Sequence, residues 1–238
     1  MARGLAPGQW LGRTVWPRYG SAVDLQEIAP RLWHWTAPHP DWTPSANKSG
    51  QGWEQYVSSY ALVADDAFVL FDPLVPSDEP GLFWQALDGD VDHHGPPAIV
   101  ITLYWHARSA KEIAERYDGA TVWAPAPAAR HVARRVSYTD TYAGGDGELP
   151  VGIRAYDTGL RGEMVLYLPS HKALLFGDVV LDGVRLLPSS WLPKRATREA
   201  VKASLGPLLD EEIELLLLTH GGPVPDDARA KLEAALDG

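Results

Sequence analysis

The chain has 238 residues, with 21 Lys and Arg against 31 Asp and Glu, so its formal charge is −10. That charge opposes non-specific binding to nucleic acid, because such binding depends on Lys and Arg neutralising phosphates. Apolar residues make up 45% and charged residues 22% of the chain, which is close to an average globular protein and excludes disorder over most of its length.

Cysteine is absent, which excludes disulfides, thiol nucleophiles and Cys-based zinc or iron–sulfur sites and leaves His, Asp and Glu as the strong metal ligands. The longest apolar runs fall far short of the ~18 residues that a membrane span needs. The first twenty residues lack the charged-then-apolar pattern of a leader. We therefore expect a cytoplasmic protein that binds neither nucleic acid nor membrane.

No Ser/Gly-rich or charged run is long enough to separate two cores. We therefore predict an irregular N-terminal extension over residues 1–28 and a single domain over residues 29–238. Between Trp35 and Tyr56 the chain is rich in Pro, Trp and Gly, which are too many breakers for a helix or a central strand. This stretch is predicted to be one long loop, and loops of this length are often lids or binding loops.

A strand–turn–strand pattern occurs twice. The first unit ends at Asp72 and the second at Gly177-Asp178, so each carries a carboxylate directly after a buried strand. Four apolar runs form these units: 60–63, 67–71, 164–168 and 173–176. Two further short runs, 98–101 and 213–218, each end at a Thr and are typical of strands covered on both faces.

Helical patterns follow the strands. Ser109 and Glu112 have the spacing of a capping box, which predicts a helix from about Ser109 to Tyr117. Further helices are predicted over 80–87, 198–209 and 227–236. Because hairpins and helices are duplicated, we predict an α/β fold with two sheets face to face and helices outside.

Candidate functional residues follow the strand ends. Catalytic groups in open α/β architectures collect at the carboxyl ends of strands, and this rule selects Asp72, His106, Asp178 and His220. Each has a structural alternative, because Asp after a strand commonly forms a turn with its own backbone and a buried His can be purely structural. The residues alone leave both interpretations open.

The order of these segments resembles the metallo-beta-lactamase superfamily of metallohydrolases. Its chains show a hairpin ending in Asp, then a strand leading into His-x-His-x-Asp-His before a helix. A mid-chain His, a strand ending in Gly-Asp and a last strand ending in His follow. The resemblance extends from about Ile28 to the C-terminus and implies a four-layer αββα sandwich of two mixed β-sheets with outer helices.

The defining motif of that superfamily is altered here. In place of Thr-His-x-His-x-Asp-His the chain has Thr-Leu-Tyr-Trp-His-Ala-Arg over residues 102–108, so His106 lies one place out of phase and Arg108 stands at a ligand position. The mid-chain ligand position falls near Gly159-Leu160-Arg161-Gly162, which also has no His. Asp178 and His220 match residue by residue, and Asp72 matches the hairpin Asp that supports the site.

Two matching ligands cannot hold two zinc ions, because each ion needs about three protein ligands. The resemblance therefore implies a degenerate metal site without ordinary two-zinc hydrolase activity. The sequence favours an arrangement with no metal cofactor, in which Arg108 and Arg161 supply positive charge and pair with Asp178 and Asp72. Such a site would serve either ligand binding or metal-independent chemistry, in which His106 or His220 acts as general base while Arg108 steadies an anionic group.

Two alternatives remain open. In one, His106 joins Asp178 and His220 as ligands of a single Zn, Fe or Mn ion, and the protein is a one-metal hydrolase of an ester, lactone or amide. In the other, the protein is a non-catalytic scaffold or subunit.

A pocket for a small-molecule ligand or substrate is also predicted. Trp42 and Trp53 lie on the long loop and Trp105 lies beside the site, so they are candidates to wall a pocket for an aromatic or apolar ligand, together with Arg161.

Overall fold

A computed structural model of the chain describes residues 25–47, 52–145 and 149–238. The predicted N-terminal extension therefore lies outside the described residues, except for residues 25–28. Of these residues, 26–28 are not irregular as predicted but belong to an edge strand that pairs with the next strand of the chain.

The first sheet has seven strands. They are β1 (Gln26–Ala29), β2 (Leu32–Pro38), β3 (Tyr56–Val63), β4 (Phe68–Phe71), β5 (Ala98–Val100), β6 (Thr121–Pro125) and β7 (Asp140–Tyr142). The strands lie side by side in chain order. Pairs from β1 to β4 are antiparallel and pairs from β4 to β7 are parallel, so the sheet is mixed.

The second sheet has five strands. They are β8 (Arg154–Asp157), β9 (Met164–Leu168), β10 (Ala173–Phe176), β13 (Leu215–Leu218) and β14 (Gly222–Val224). Their order is β14-β13-β10-β9-β8, and the β10–β13 pair is parallel. A separate two-stranded ribbon, β11 (Val180–Leu181) and β12 (Arg185–Leu186), follows β10 in the chain.

Five α-helices complete the described part of the chain. They are α1 (Pro80–His94), α2 (Ala110–Arg116), α3 (Ala129–Val132), α4 (Arg198–Leu205) and α5 (Ala228–Asp237). The capping box predicted for α2 is wrong, because the Ser109 side chain does not cap the helix and instead accepts a hydrogen bond from Val75 N at 3.0 Å. A side-chain cap is present on α4, where Thr197 Oγ1 accepts from Ala200 N at 3.1 Å.

Three apolar clusters define four layers. Strand β9 shows the division, because Leu166 and Leu168 pack between the sheets while Val165 and Tyr167 face the other side, as alternation along a strand requires. The outer cluster of the second sheet includes residues of α4 and α5, and that of the first sheet includes residues of α1 and α2. This arrangement confirms the predicted αββα sandwich.

Both predicted hairpins are confirmed, with β3 against β4 and β9 against β10. The long loop is shorter than predicted, because β2 continues through Pro38, which pairs with Tyr56. None of the helices in the described ranges combines the length and apolar character needed to cross a bilayer.

Candidate active site

Four strand ends bring the candidate residues to one edge of the sandwich. Asp72 directly follows β4, and His106 lies in a 3₁₀ turn, Tyr104–Ala107, shortly after β5. Asp178 follows β10 and His220 follows β13. Because β4 is parallel to β5 and β10 is parallel to β13, the carboxyl ends of each pair meet at the same edge.

Three of these residues form a tight cluster. The Nε2 atoms of His106 and His220 lie 3.2 Å and 3.1 Å from Oδ1 of Asp178. One ligand atom from each residue lies within 4.8 Å of the other two. Neither contact has the geometry of a hydrogen bond, so Oδ1 of Asp178 is buried without a hydrogen-bond partner among the described residues. Three donor atoms thus converge on a common point.

Asp72 fixes the orientation of His106. Its Oδ2 lies 2.9 Å from His106 Nδ1, and its Oδ1 accepts a hydrogen bond from Thr102 N at 2.8 Å. Asp72 has no exposed surface. With Nδ1 donating to the carboxylate, Nε2 of His106 is the atom left to face the cluster, which is the usual arrangement of a metal-binding His.

Trp105 holds the other oxygen of Asp178. Its indole Nε1 donates to Asp178 Oδ2 at 2.7 Å. Because Oδ2 is occupied in this way, Asp178 presents a single oxygen to the two imidazoles.

Glu163 supports Asp178 from its main-chain side and is a residue that the sequence analysis missed. Its Oε1 accepts hydrogen bonds from Asp178 N at 2.7 Å and Val179 N at 2.8 Å. It is 2% exposed, and burial together with the nearby Asp178 carboxylate raises its pKa to about 8. An acidic residue directly before the apolar strand β9 was the signal in the sequence.

No protein-family model and no curated protein matches the chain. Among solved structures, a metallo-beta-lactamase from Pontibacter korlensis superposes with a TM-score of 0.65 at 15% identity, covering 91% of this chain and 99% of that one. The FIM-1 metallo-beta-lactamase from Pseudomonas aeruginosa, in its mono-zinc form, has a TM-score of 0.66 at 12% identity and covers 94% and 98%. A metallo-beta-lactamase from Erythrobacter litoralis has a TM-score of 0.64 at 16% identity and covers 93% and 99%.

The chain has the metallo-beta-lactamase fold. The four strand ends described above are therefore elements of that fold, and the resemblance seen in the sequence is confirmed at the level of architecture.

Within this metallo-beta-lactamase fold, Arg108 differs from its predicted arrangement. Its Nη1 donates to the main-chain oxygens of Ser58 at 2.8 Å and Asp72 at 3.0 Å. Neither Arg108 nor Arg161 forms an ion pair with Asp72 or Asp178 among the described residues, so the predicted pairing is wrong. Its Nη1 is instead used by one main-chain carbonyl in β3 and one directly after β4.

The remaining donors of Arg108 are unused. Its Nε and Nη2 are buried and have no hydrogen-bond partner in the part of the chain that the structure describes. These two groups form one edge of the guanidinium, and such an edge matches the two oxygens of a carboxylate or phosphate. The backbone of Arg108 has φ 34°, a sparsely populated conformation of the kind retained at functional sites.

Burial and neighbouring charges shift the pKa values of the three cluster residues, in His106 and Asp178 against each other. Burial and Arg108 act to lower the pKa of His106, but Asp72 and Asp178 outweigh them and raise it to about 9. Burial acts to raise the pKa of Asp178, yet His106 and His220 hold it well below its usual range. The pKa of His220 is lowered by its burial.

A cavity of about 390 Å³ opens beside the cluster. Of the residues predicted to bind a ligand, Trp53, Trp105 and Arg161 line it. Trp42 is not among the lining residues; its indole donates to Trp53 O at 3.0 Å and so fixes the loop. Further lining residues that the sequence analysis did not select are His39, Asp41, Arg135 and Trp191.

Proposed function

We propose that the protein is a one-metal hydrolase whose ion is held by His106, Asp178 and His220. The observation that carries the proposal is the convergence of two imidazole Nε2 atoms on an oxygen of Asp178 that has no hydrogen-bond partner among the described residues. Ligands of a tetrahedral ion with bonds near 2.0 Å lie roughly 3.3 Å apart. The separations of 3.2 Å and 3.1 Å fit such a site.

The buried charges around the cluster also favour a divalent cation. Asp72, Asp178 and Glu163 contribute three carboxyl groups, while Arg108 contributes one guanidinium. With neutral imidazoles, and with Glu163 protonated at neutral pH because its pKa is raised to about 8, one negative charge remains in excess, and unbalanced charge is costly away from water. Nitrogen and oxygen donors of this kind suit Zn, Fe or Mn.

An ion at this site would supply Lewis-acid chemistry and activate water for attack on an ester, lactone or amide. The protein's own residues prepare the site for that reaction. Asp72 keeps Nε2 of His106 aimed at the cluster, and Trp105 keeps one oxygen of Asp178 available. The unpaired edge of Arg108 can stabilise negative charge that develops on the substrate.

Elemental analysis of untagged protein purified without chelator tests the proposal. We expect about one ion per chain in the wild type and loss of the ion in D178A and H220A. D41N is the matched control, because Asp41 lines the same cavity but lies outside the cluster. Esterase, lactonase and amidase assays with 4-nitrophenyl acetate, dihydrocoumarin and nitrocefin should show activity that follows metal content. A wild-type chain without bound ion would overturn the proposal.

The arrangement without metal is a second candidate, and the position of His106 favours it. This imidazole lies between the carboxylates of Asp72 and Asp178, which would hold it as a cation in place of a metal ion. His220 would then act as general base, with Arg108 binding an anionic group. Activity that persists after complete chelation would select this candidate.

A scaffold role is supported least. A pocket filled by side chains would favour it, whereas the described residues leave an open cavity next to Asp178.

A further inference from the structure

Two arginines are held on an aromatic layer at the cavity. Tyr104 and Trp105 stack edge to face with their ring centroids 4.5 Å apart. The guanidinium of Arg135 lies over Tyr104 at 6.0 Å, and that of Arg161 lies over Trp105 at 5.3 Å. Cation–π contacts of this kind restrict the positions of the two guanidinium groups.

Arg161 is restricted further by its backbone. Its Nη2 donates to Trp191 O at 2.6 Å. Its φ is 52°, in the left-handed region that costs a residue with a side chain roughly 1 kcal/mol. The next residue, Gly162, also has positive φ, and a Cβ there would lie 2.8 Å from that of Ala128. The loop therefore fixes Arg161 at the cavity despite the strain.

Neither arginine has an acidic partner in the described ranges. Arg135 and Arg161 are both exposed and form no ion pair there. Together with Arg108 they place three guanidinium groups on the cavity wall, against the carboxylates of Asp41 and Asp178. A cationic wall is unexpected in a chain whose formal charge is −10, so it calls for an anionic occupant.

We propose that the cavity selects an organic anion with a flat aromatic body, and that Arg135 and Arg161 bind its carboxylate or phosphate group. The inference rests on the proposed function in that the bound molecule would be the substrate class of the same site. Planar guanidinium groups recognise both kinds of anion through paired hydrogen bonds.

The aromatic body is inferred from the other walls. Trp53, Trp105 and Trp191 line the cavity, and Trp53 is packed edge to face against His220 at 5.5 Å. The cavity thus has apolar surface on the side of the cluster as well as at the arginines. A small inorganic anion would leave this surface exposed to water, whereas a ring system would cover it.

Isothermal titration calorimetry on chelator-treated protein tests the proposal with defined probes. The probes are 2-naphthoate, 2-naphthyl phosphate, neutral 2-naphthamide, acetate and inorganic phosphate. We expect at least one naphthyl anion to bind about tenfold or more tightly than 2-naphthamide and than its own small anion, because a hydrogen bond to a charged group contributes more than a neutral one. Whether 2-naphthoate or 2-naphthyl phosphate binds more tightly shows which anionic group, carboxylate or phosphate, the cavity prefers.

Variants locate the binding groups. R135Q and R161Q should each weaken binding of the naphthyl anion about tenfold, and R161K should fall between R161Q and wild type because it keeps charge without the planar fork. R134Q is the matched control, since Arg134 is exposed beside Arg135 but does not line the cavity. Equal binding of 2-naphthamide and the anions, or an equal loss in R134Q, would overturn the inference.

Metal content, measured on a portion of each preparation before the chelator is added, separates this inference from the proposed function. Arginine-dependent binding of a naphthyl anion by a chain that holds no metal supports the inference while the hydrolase proposal fails. A chain that holds one ion but binds the charged and neutral probes equally supports the hydrolase proposal, while the inference about the anion fails.

Discussion

The indole Nε1 of Trp105 donates a hydrogen bond to Oδ2 of Asp178 at 2.7 Å. In the sequence Trp105 stands at a position where the superfamily motif has a metal-binding His. Trp105 thus orients Asp178, which is a ligand in the proposed metal site. This relationship leads to the first prediction.

Replacing Trp105 with Phe should weaken metal binding without removing a ligand. The variant loses the hydrogen bond to Asp178 and lets the carboxylate rotate, and loss of such an outer contact typically lowers metal affinity about 10–100-fold. Competition with a chromophoric chelator measures the affinity. Trp191→Phe is the control, because Trp191 lines the same cavity and makes no hydrogen bond to Asp178. Equal affinity in W105F and wild type would contradict the prediction.

Asp72→Asn should prevent His106 from binding a metal ion without changing the local backbone conformation. Asp72 has φ 45°, and Asn tolerates this left-handed conformation better than most residues. An amide NH₂ facing Nδ1 of His106 would stabilise the tautomer with the proton on Nε2, which cannot bind a metal. We expect metal affinity to fall about 10–100-fold.

The control for this variant is Asp66→Asn, in the exposed turn of the same hairpin. Thermal unfolding of both apo proteins shows whether the loss arises at the site or from the fold. An unchanged metal affinity in D72N would show that Asp72 does not orient His106.

The sequence predicted the strand ends but not all of the side-chain geometry between them. Asp178 and His220 follow strongly apolar strands, so the sheet places both residues at this edge. His106 lies out of phase in the motif, and its inward direction comes from the 3₁₀ turn Tyr104–Ala107, which short-range spacing does not specify. Glu163 was missed because the continuous apolar run of this strand begins only at Met164.

The predicted C-terminal end of α1 was wrong. The sequence predicts a helix over 80–87 only, because the polar segment from Asp90 to Gly95 is typical of a loop, but the helix continues to His94. Asp90 is 1% exposed within this helix. Buried acids are rare, so the local pattern of the sequence assigned these residues to a solvated loop.

Gly177→Ala should destabilise the protein and disturb the site. A Cβ at this position would lie 2.8 Å from Glu163 Oε1 and 3.0 Å from Thr102 Oγ1. Glu163 is held by two main-chain N–H groups, so the added methyl group would push apart groups that cannot easily move. Overpacking of this kind costs about 1–3 kcal/mol of unfolding free energy.

Chemical denaturation of G177A measures this loss. Gly89→Ala is the control, because Gly89 lies in α1 with no atom within 4 Å of the added Cβ, and Ala in a helix is favoured over Gly by about 0.5–1 kcal/mol. G177A as stable as wild type would show that Glu163 can shift, and its metal affinity would then report whether Asp178 moves with it.

Asp90→Asn should stabilise the protein at neutral pH but not in acid. Burial raises the pKa of Asp90 to about 7, although His93 opposes the shift, and Oδ2 has no hydrogen-bond partner among the described residues. Between about pH 4 and pH 7 the folded state therefore binds a proton that the unfolded state has already released, so this group lowers the unfolding free energy as pH rises through that window.

The amide introduced by the substitution does not titrate, and the stability difference between D90N and wild type should grow to about 2–4 kcal/mol above pH 7. Urea denaturation of both proteins at pH 4.5, 6 and 8 measures the difference, and a difference that does not change with pH would show that Asp90 is already ionised in the folded state.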